Sequence, residues 1–382
     1  MKYPVYLDYN ATTPCAPEVI EAMIPWFQQH FGNASSKSHA FGWVAEDAVE
    51  IAREQVANLL GARSKEIIFT SGATEAINLA IKGTFELYKG EKQHYITCQT
   101  EHKAVLDTMA ELEKEGADVT YLPVDHEGNI SYQELKDTIL PHTKMIALMW
   151  ANNETGIIHP IEEISELAET NDIIFLTDAV QAAGKIPLHN RGIHLMAISA
   201  HKFYGPKGVG ALFIRHNHSL PKPLAQITGG GHEKGFRSGT LNVPGIVGMG
   251  KAAEMRMEEM ETEISKMSLL RNQLEESILE IPGTKLNGSQ NNRLPHVSNI
   301  AFEGTEGEEL LRKVCQQVAV SSGSACTSIS PKPSHVLQAM GLEHELGRSS
   351  IRFSLGRNTT EQEILDTVEW VTHVVTELRK LN

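Results

Sequence analysis

Short, almost wholly apolar runs alternate with amphipathic stretches of helical period over the first two thirds of the chain, and few folds accept that order. Glu66-Ile67-Ile68-Phe69-Thr70 reads as a buried strand, followed by a turn at Ser71-Gly72 and a helix over 73–82. His94-Tyr95-Ile96-Thr97-Cys98 and the runs 144–150, 173–177 and 195–199 repeat the theme. Between them Val49, Ala52, Val56 and Leu59 fall on one helical face, as do Ile161, Ile164 and Ala168. Strands that tolerate burial on both faces, separated by helices, predict an α/β fold built on a mainly parallel sheet covered on both sides.

The pattern changes near residue 255. A Glu- and Met-rich helix follows, with Ile264, Met267, Leu270, Leu274, Ile278 and Ile281 aligned, closed by Pro282-Gly283. Shorter strand-like runs come next at 296–302, 317–321 and 350–354. A last helix then aligns Ile364, Val368, Val371, Val375 and Leu378. A smaller α+β unit is therefore expected beside the large one, and 382 residues suit two domains. The net charge of −14, from 34 basic and 48 acidic residues, repels phosphate backbones and anionic membranes. With no long apolar run, no membrane span and no secretory signal are expected, and the cytoplasm is the expected location. Cys15, Cys98, Cys315 and Cys326 form no C-x-x-C pair, so neither a disulfide framework nor a structural metal is expected. Cys98 and Cys315 read as small buried hydrophobes.

Six segments carry chemistry. In Ser199-Ala200-His201-Lys202-Phe203-Tyr204-Gly205, a lysine leaves an apolar strand for a glycine-rich turn. Partial desolvation there lowers an amine's pKa and suits Schiff-base formation. Asp178, in Thr177-Asp178-Ala179-Val180-Gln181, ends another strand, where a buried carboxylate needs a cation. A protonated pyridine nitrogen meets that need, and the pair Lys202 and Asp178 points to pyridoxal 5'-phosphate. Ser71-Gly72-Ala73-Thr74-Glu75 stands between strand and helix, where backbone N–H groups favour a phosphate, although ordinary capping explains it equally well alone. His102, following another strand, is placed to lie over a cofactor ring. Cys326, in Ser321-Ser322-Gly323-Ser324-Ala325-Cys326, places a thiol in a small, polar loop. Arg352, inside a strand-like run, needs an anion: a substrate carboxylate or an internal salt bridge.

Together these segments resemble the cysteine desulfurases, NifS/IscS-like enzymes of the aminotransferase class-V family. The resemblance runs from Leu7-Asp8-Tyr9-Asn10-Ala11-Thr12-Thr13-Pro14 through Asn152-Asn153-Glu154-Thr155-Gly156 to 350–357. It implies the fold of type I pyridoxal-phosphate transferases, with residues 16–257 as the large cofactor-binding domain. Residues 1–15 and 258–382 would form the small domain carrying the catalytic cysteine loop. It implies that Lys202 holds the cofactor, Asp178 pairs with its ring nitrogen and Gln181 touches its ring hydroxyl. His102 would stack on the ring as acid and base. Ala73, Thr74, Ser199 and His201 would bind the phosphate, joined by Thr240 from the second subunit of a homodimer. Asn153 and Arg352 would orient the carboxylate of L-cysteine, and Cys326 would take its sulfur as a persulfide for an acceptor protein, leaving L-alanine. The acceptor's pathway stays open between iron–sulfur cluster assembly, tRNA thiolation and DNA sulfur modification. A selenocysteine lyase or another carbon–sulfur lyase of the same fold is the rival within enzymes, and a silent binding platform the rival outside them.

Overall fold

The computed structural model describes residues 4–216, 218–322 and 334–381. Seven strands form the central sheet in the order Ile67–Thr70, Gly210–Ile214, Leu195–Ser199, Ile174–Asp178, Thr143–Ala147, His94–Cys98, Asp118–Leu122. Only Gly210–Ile214 runs antiparallel to its neighbours; the consecutive pairs from Leu195–Ser199 to Asp118–Leu122 are parallel. Most of these strands are buried end to end, as their continuous apolar character demands. One face packs on Val49, Ala52, Val56, Ile161, Ile164 and Met249. The other packs on Ile77, Ala80, Ile81, Val105 and Met109 from helices Ala73–Leu87 and Lys103–Lys114.

A second core lies apart from this sheet. The antiparallel strands Thr284–Leu286, Val297–Phe302 and Ser350–Ser354 bury Ile300, Phe302, Ile351 and Phe353 against Met267, Leu274 and Ile278. Ile364, Val371 and Val375 of the helix Glu361–Leu381 complete it. Leu7 is buried here too. Val5–Tyr6 pairs in parallel with Val318–Ala319, and Asp8 bridges to Ser354.

Two expectations need correction. The Glu- and Met-rich helix does not start near 255: one helix of 37 residues runs Val243–Leu279, capped by the Asn242 side chain accepting from Gly245 N. Its first turns bury Ile246, Met249, Ala252 and Ala253 in the large core, and its later ones bury Met267, Leu270, Leu274 and Ile278 in the small core. No proline or cap interrupts it, so the apolar face changes partners without breaking the helix. Cys315 is exposed, not buried. The helix Gly307–Val314 turns Leu310 and Val314 inward, and Cys315 falls one residue past that face.

Candidate active site

The parallel strands all present their carboxyl ends at one edge of the sheet, where α/β folds place ligands. Asp178 ends its strand, paired in register with Ala197 of the neighbouring one, and Lys202 follows that neighbour in a single 3-10 turn. Register therefore sets ammonium and carboxylate on one edge. Asp178 is buried, with Oδ1 accepting from Val180 N at 2.9 Å. Burial raises its pKa, while the charges of His102 and Lys202 pull it back.

Asn10 is the hub of the site. Its carbonyl accepts from Lys202 Nζ at 2.6 Å and from Gln181 Nε2 at 3.0 Å. Lys202 Nζ also donates to Ala11 O at 2.8 Å. The Asn10 side chain donates from Nδ2 to Asn153 O and accepts at Oδ1 from His296 Nε2, both at 2.9 Å. Its N–H reaches Ser354 Oγ. One buried asparagine thus ties the lysine edge of the large sheet to the Asn153 turn and the small sheet.

His102 caps the helix Lys103–Lys114, with Nδ1 accepting from Ala104 N at 3.1 Å. Its neighbour Glu101 is fully buried, with Oε1 accepting from Met149 N; burial drives its pKa well up, so the neutral acid is favoured. His201 Nδ1 lies 3.1 Å from Thr12 Oγ1. Burial, with Lys202 and other cations nearby, brings its pKa down to about 4, so this imidazole is neutral. Arg352 pairs through Nη2 with Asp8 Oδ1 at 2.6 Å and donates from Nη1 to Asn153 O at 2.9 Å. Its Nε is buried without an acceptor. The salt bridge weighed from sequence is therefore present, and a donor remains beside it. Arg352 and Asn153 are brought together directly.

The Ala73–Leu87 helix begins at Gly72 with no side-chain cap, so its first N–H groups point to an anion. Gly72 lies close to Ser199, whose Oγ would sit 3.8 Å from a Cβ built there. Beside it the sheet leaves no room: a Cβ on Gly210 would meet Gly72 Cα at 2.7 Å. Ala73 is half-buried and Thr74 exposed at this end. Glu75, in the same turn, accepts from Ser71 N and pairs with Arg237 at 2.8 Å. That pair ties the turn to the loop of residues 229–240, which ends at the exposed Thr240. The loop is held at its other end by Glu233, whose carboxylate takes both Nη1 and Nη2 of buried Arg53, at 2.7 and 2.8 Å, and Phe69 N at 2.7 Å. Glu233 and Lys234 adopt positive φ of 49° and 58°, strain that this anchoring supports. An uncapped helix start and a half-buried lysine on the same sheet edge as a buried aspartate fit pyridoxal phosphate.

Cys326 lies outside the described residues, but both flanks are anchored at the site. Ser321 Oγ donates to Asp8 Oδ2, and Ser321 bridges to Arg352. Ser334 Oγ donates to buried Glu154 Oε2 at 2.5 Å, and His335 Nε2 lies 2.9 Å from Glu101 O. Asn10, Glu101 and Glu154 had no role in the sequence reading. Asn10 and Glu154 stand within the quoted runs, which was the signal available.

The aminotransferase class-V family model matches residues 5–366. A cysteine desulfurase IscS of Anaeromyxobacter dehalogenans (strain 2CP-C) is 50% identical over 385 residues, covering 100% of this chain and 95% of the relative. Among solved structures, a NifS-like protein superposes with a TM-score of 0.91 at 36% identity, covering 98% of this chain and 100% of that one. SspA in complex with cysteine superposes with a TM-score of 0.79 at 40% identity, covering 92% and 98%. With the match running through both cores and every segment of the site edge, the chain belongs to the cysteine desulfurases of the aminotransferase class-V family.

Proposed function

We propose that this chain removes sulfur from L-cysteine with pyridoxal phosphate, releasing L-alanine and leaving a persulfide on Cys326 for a sulfur-acceptor protein in cluster assembly or thio-modification. The observation that carries the reading is the register that sets Lys202 and Asp178 on one carboxyl edge, with Lys202 and Gln181 both held by the Asn10 carbonyl. A solved relative holding cysteine supports the substrate. Residues 16–257 would act as the cofactor-binding unit, and residues 1–15 with 258–382 as the smaller one.

Lys202 would hold the cofactor, Asp178 its ring nitrogen and Gln181 its ring hydroxyl, with Ala73, Thr74, Ser199 and His201 on the phosphate. When bound, pyridoxal phosphate supplies an electron sink for the bonds at the substrate Cα. Arg352 Nε, the buried donor without an acceptor, and Asn153 would take the substrate carboxylate. Lys202 Nζ moves the Cα proton. His102 Nδ1 is engaged by Ala104 N–H, so Nε2 is the nitrogen that would exchange protons with the bound substrate and cofactor. The Cys326 thiolate then attacks the substrate sulfur, and the S–S bond forms as the substrate C–S bond breaks. The electron pair of that bond stays with the carbon, which takes a proton to become the methyl group of alanine, and Cys326 is left as a persulfide.

The second subunit of a homodimer would add Thr240 to the phosphate site. Support comes from a run of exposed apolar side chains on residues 17–59, among them Phe27, Phe31, Phe41, Trp43 and Ile51, a patch that two-fold pairing would cover. Among the described residues no helix is long and apolar enough to cross a membrane. The reduced thiol pool of the cytoplasm suits a transient persulfide.

The test is Cys326→Ala. The purified variant should keep the yellow cofactor and bind cysteine, yet release almost no alanine. In the wild type, mass spectrometry should find added sulfur on the Cys326 peptide alone. Wild-type alanine release by the variant, or sulfur on Cys15, Cys98 or Cys315 instead, would overturn the reading. Activity confined to selenocysteine would move it to the lyase.

A further inference from the structure

Lys185 has no part in the site as described, yet its ammonium turns inward to it. The turn after Asp178 closes with Ala182 N and Ala183 N on Ala179 O, and Gly184 adopts a φ of +70°. A Cβ at Gly184 would also strike Phe203 Cβ at 2.8 Å and Arg256 Cγ at 2.9 Å, so glycine is required on both counts. That reversal brings Lys185 back over Gln181, whose Oε1 accepts from Lys185 Nζ at 2.9 Å.

The two ends of the Gln181 amide therefore have opposite partners. Asn10 O only accepts, so it takes the NH2 group; Lys185 has an N–H to offer in either protonation state, so it takes the carbonyl. One hydrogen of Gln181 Nε2 is committed to Asn10 O, and the second remains to donate to a ligand. A flipped amide would set oxygen against the Asn10 carbonyl.

A lysine is an expensive residue for this place. It faces a narrow cavity between the two cores shared with Tyr9, Tyr204, Arg256, Glu263 and His296. Burial first, then the like charges of Lys202, Arg352 and Arg256, push its ammonium well below the ordinary lysine range. Burial first, then nearby cations, lower the pKa of His296 on the other side of Asn10, and because Asn10 Nδ2 is committed to Asn153 O, Asn10 Oδ1 accepts from His296 Nε2. A methionine would fill the same space without a desolvation cost.

We infer that Lys185 is a positioning residue: it locks Gln181 as a hydrogen-bond donor toward the cofactor's ring oxygen. The inference rests on the proposed desulfurase reading, which assigns that contact to Gln181. A donor on the ring oxygen stabilises its deprotonated form. Without Lys185 the Gln181 amide is held from the Asn10 side alone and offers its second hydrogen less firmly. A weaker donor strengthens the hold on the proton shared beside the ring oxygen, so the pH midpoint of the visible spectrum should rise.

The experiment compares Lys185→Met and Lys185→Arg, purified as holoenzymes, with the wild type. In Lys185→Met the spectral midpoint should rise by about one pH unit, a tenfold change in proton affinity. Its kcat for alanine release should fall about tenfold, with the KM for cysteine within about twofold. Lys185→Arg should restore most of both. In a Gln181→Leu background, Lys185→Met should move the midpoint no further. An unchanged midpoint in Lys185→Met, a shift that arginine fails to reverse, or a full further shift in the Gln181→Leu background overturns the assignment. Where Lys185→Met gives no folded protein, Lys185→Leu, which has no N–H to offer Gln181 Oε1, should give the same rise; a wild-type midpoint there overturns it equally. Failure of the desulfurase reading would show separately, as wild-type enzyme that makes no alanine from cysteine.

Discussion

Removing the Arg53 guanidinium tests whether the strained loop at Glu233 is held by charge. Both side chains are almost fully shielded, 4% exposed for Arg53 and 1% for Glu233. Arg53→Met deletes two charge-assisted hydrogen bonds to Glu233 and one to Ile67 O. It also removes the guanidinium stacked 4.7 Å from the Phe69 ring. Glu233 would keep only Phe69 N as a partner. Breaking a buried pair from one side costs about 3–5 kcal/mol, because the remaining charge stays buried without compensation. At about 1.2 °C per kcal/mol for a chain of this length, Arg53→Met should melt about 4–6 °C below the wild type in a cofactor-free thermal scan. Glu233 also fixes the loop that ends at Thr240, so cofactor titration should show weaker binding at a temperature where the variant is folded. The double variant Arg53→Met with Glu233→Met leaves no buried charge, and should lose clearly less than the sum of the two single losses. A single variant melting within about 2 °C of wild type, or additive losses in the double variant, would refute the argument.

Acid should weaken the fold through its buried neutral imidazoles. Burial lowers His159 and His201 to about 4 and His194 to about 3. The unfolded chain then binds more protons below about pH 6.5, so stability is lost as pH falls from 6.5 toward 4, and the Tm at pH 5 should lie below that at pH 7.5. Glu154 has the opposite sign. Burial raises its carboxyl to about 7, against the Ser334 hydrogen bond and Arg352, so its contribution is present below about pH 4 and fades as pH rises through 7. Glu154→Gln should therefore raise the Tm at pH 8.5 more than at pH 5.5; an equal change at both pH values contradicts this. Gly210→Ala should weaken pyridoxal-phosphate binding and cost about 1–3 kcal/mol, because the new Cβ strikes Ile198 O at 2.6 Å and Gly72 Cα at 2.7 Å. Wild-type cofactor affinity with an unchanged Tm would remove that contact from the argument.

The mainly parallel sheet and the strands that lead into Asp178 and Lys202 were legible because each rests on a local signal. The strand order, with antiparallel Gly210–Ile214 inside it, was not, because pairing between distant segments leaves no local mark. Continuous apolar runs announce two-sided burial, and Lys202, Asp178 and Cys326 carry chemistry in their side chains. Asn10 was not legible in the same way. Its main contribution is a backbone carbonyl accepting from Lys202 and Gln181, and every residue type has one. The start of the Val243–Leu279 helix was missed because Val243-Pro244-Gly245-Ile246-Val247-Gly248-Met249-Gly250 is small and apolar all round, with no period to read. For Arg352 both readings survive in one residue: an ion pair with Asp8, and Nε still without an acceptor. Lys185 was invisible because its partner Gln181 reaches it only after the left-handed reversal at Gly184.

The strap formed by residues 5–13 has a consequence for biosynthesis. Val5 and Tyr6 wait for Val318 and Ala319, Asp8 for Arg352, and Asn10 for Ser354. These residues are therefore among the last to find their place, and they must stay unpaired while the more than 300 residues that separate them from their partners are made. Contacts so distant in sequence form late, since loop closure precedes any gain from them. Because Asn10 is also the acceptor for Lys202 and Gln181, no nascent or truncated chain lacking residues 350–354 can assemble the lysine pocket in its described form. Competence to generate a reactive sulfur species thus arrives only once the strand 350–354 has been made and paired, a safeguard built into the order of synthesis.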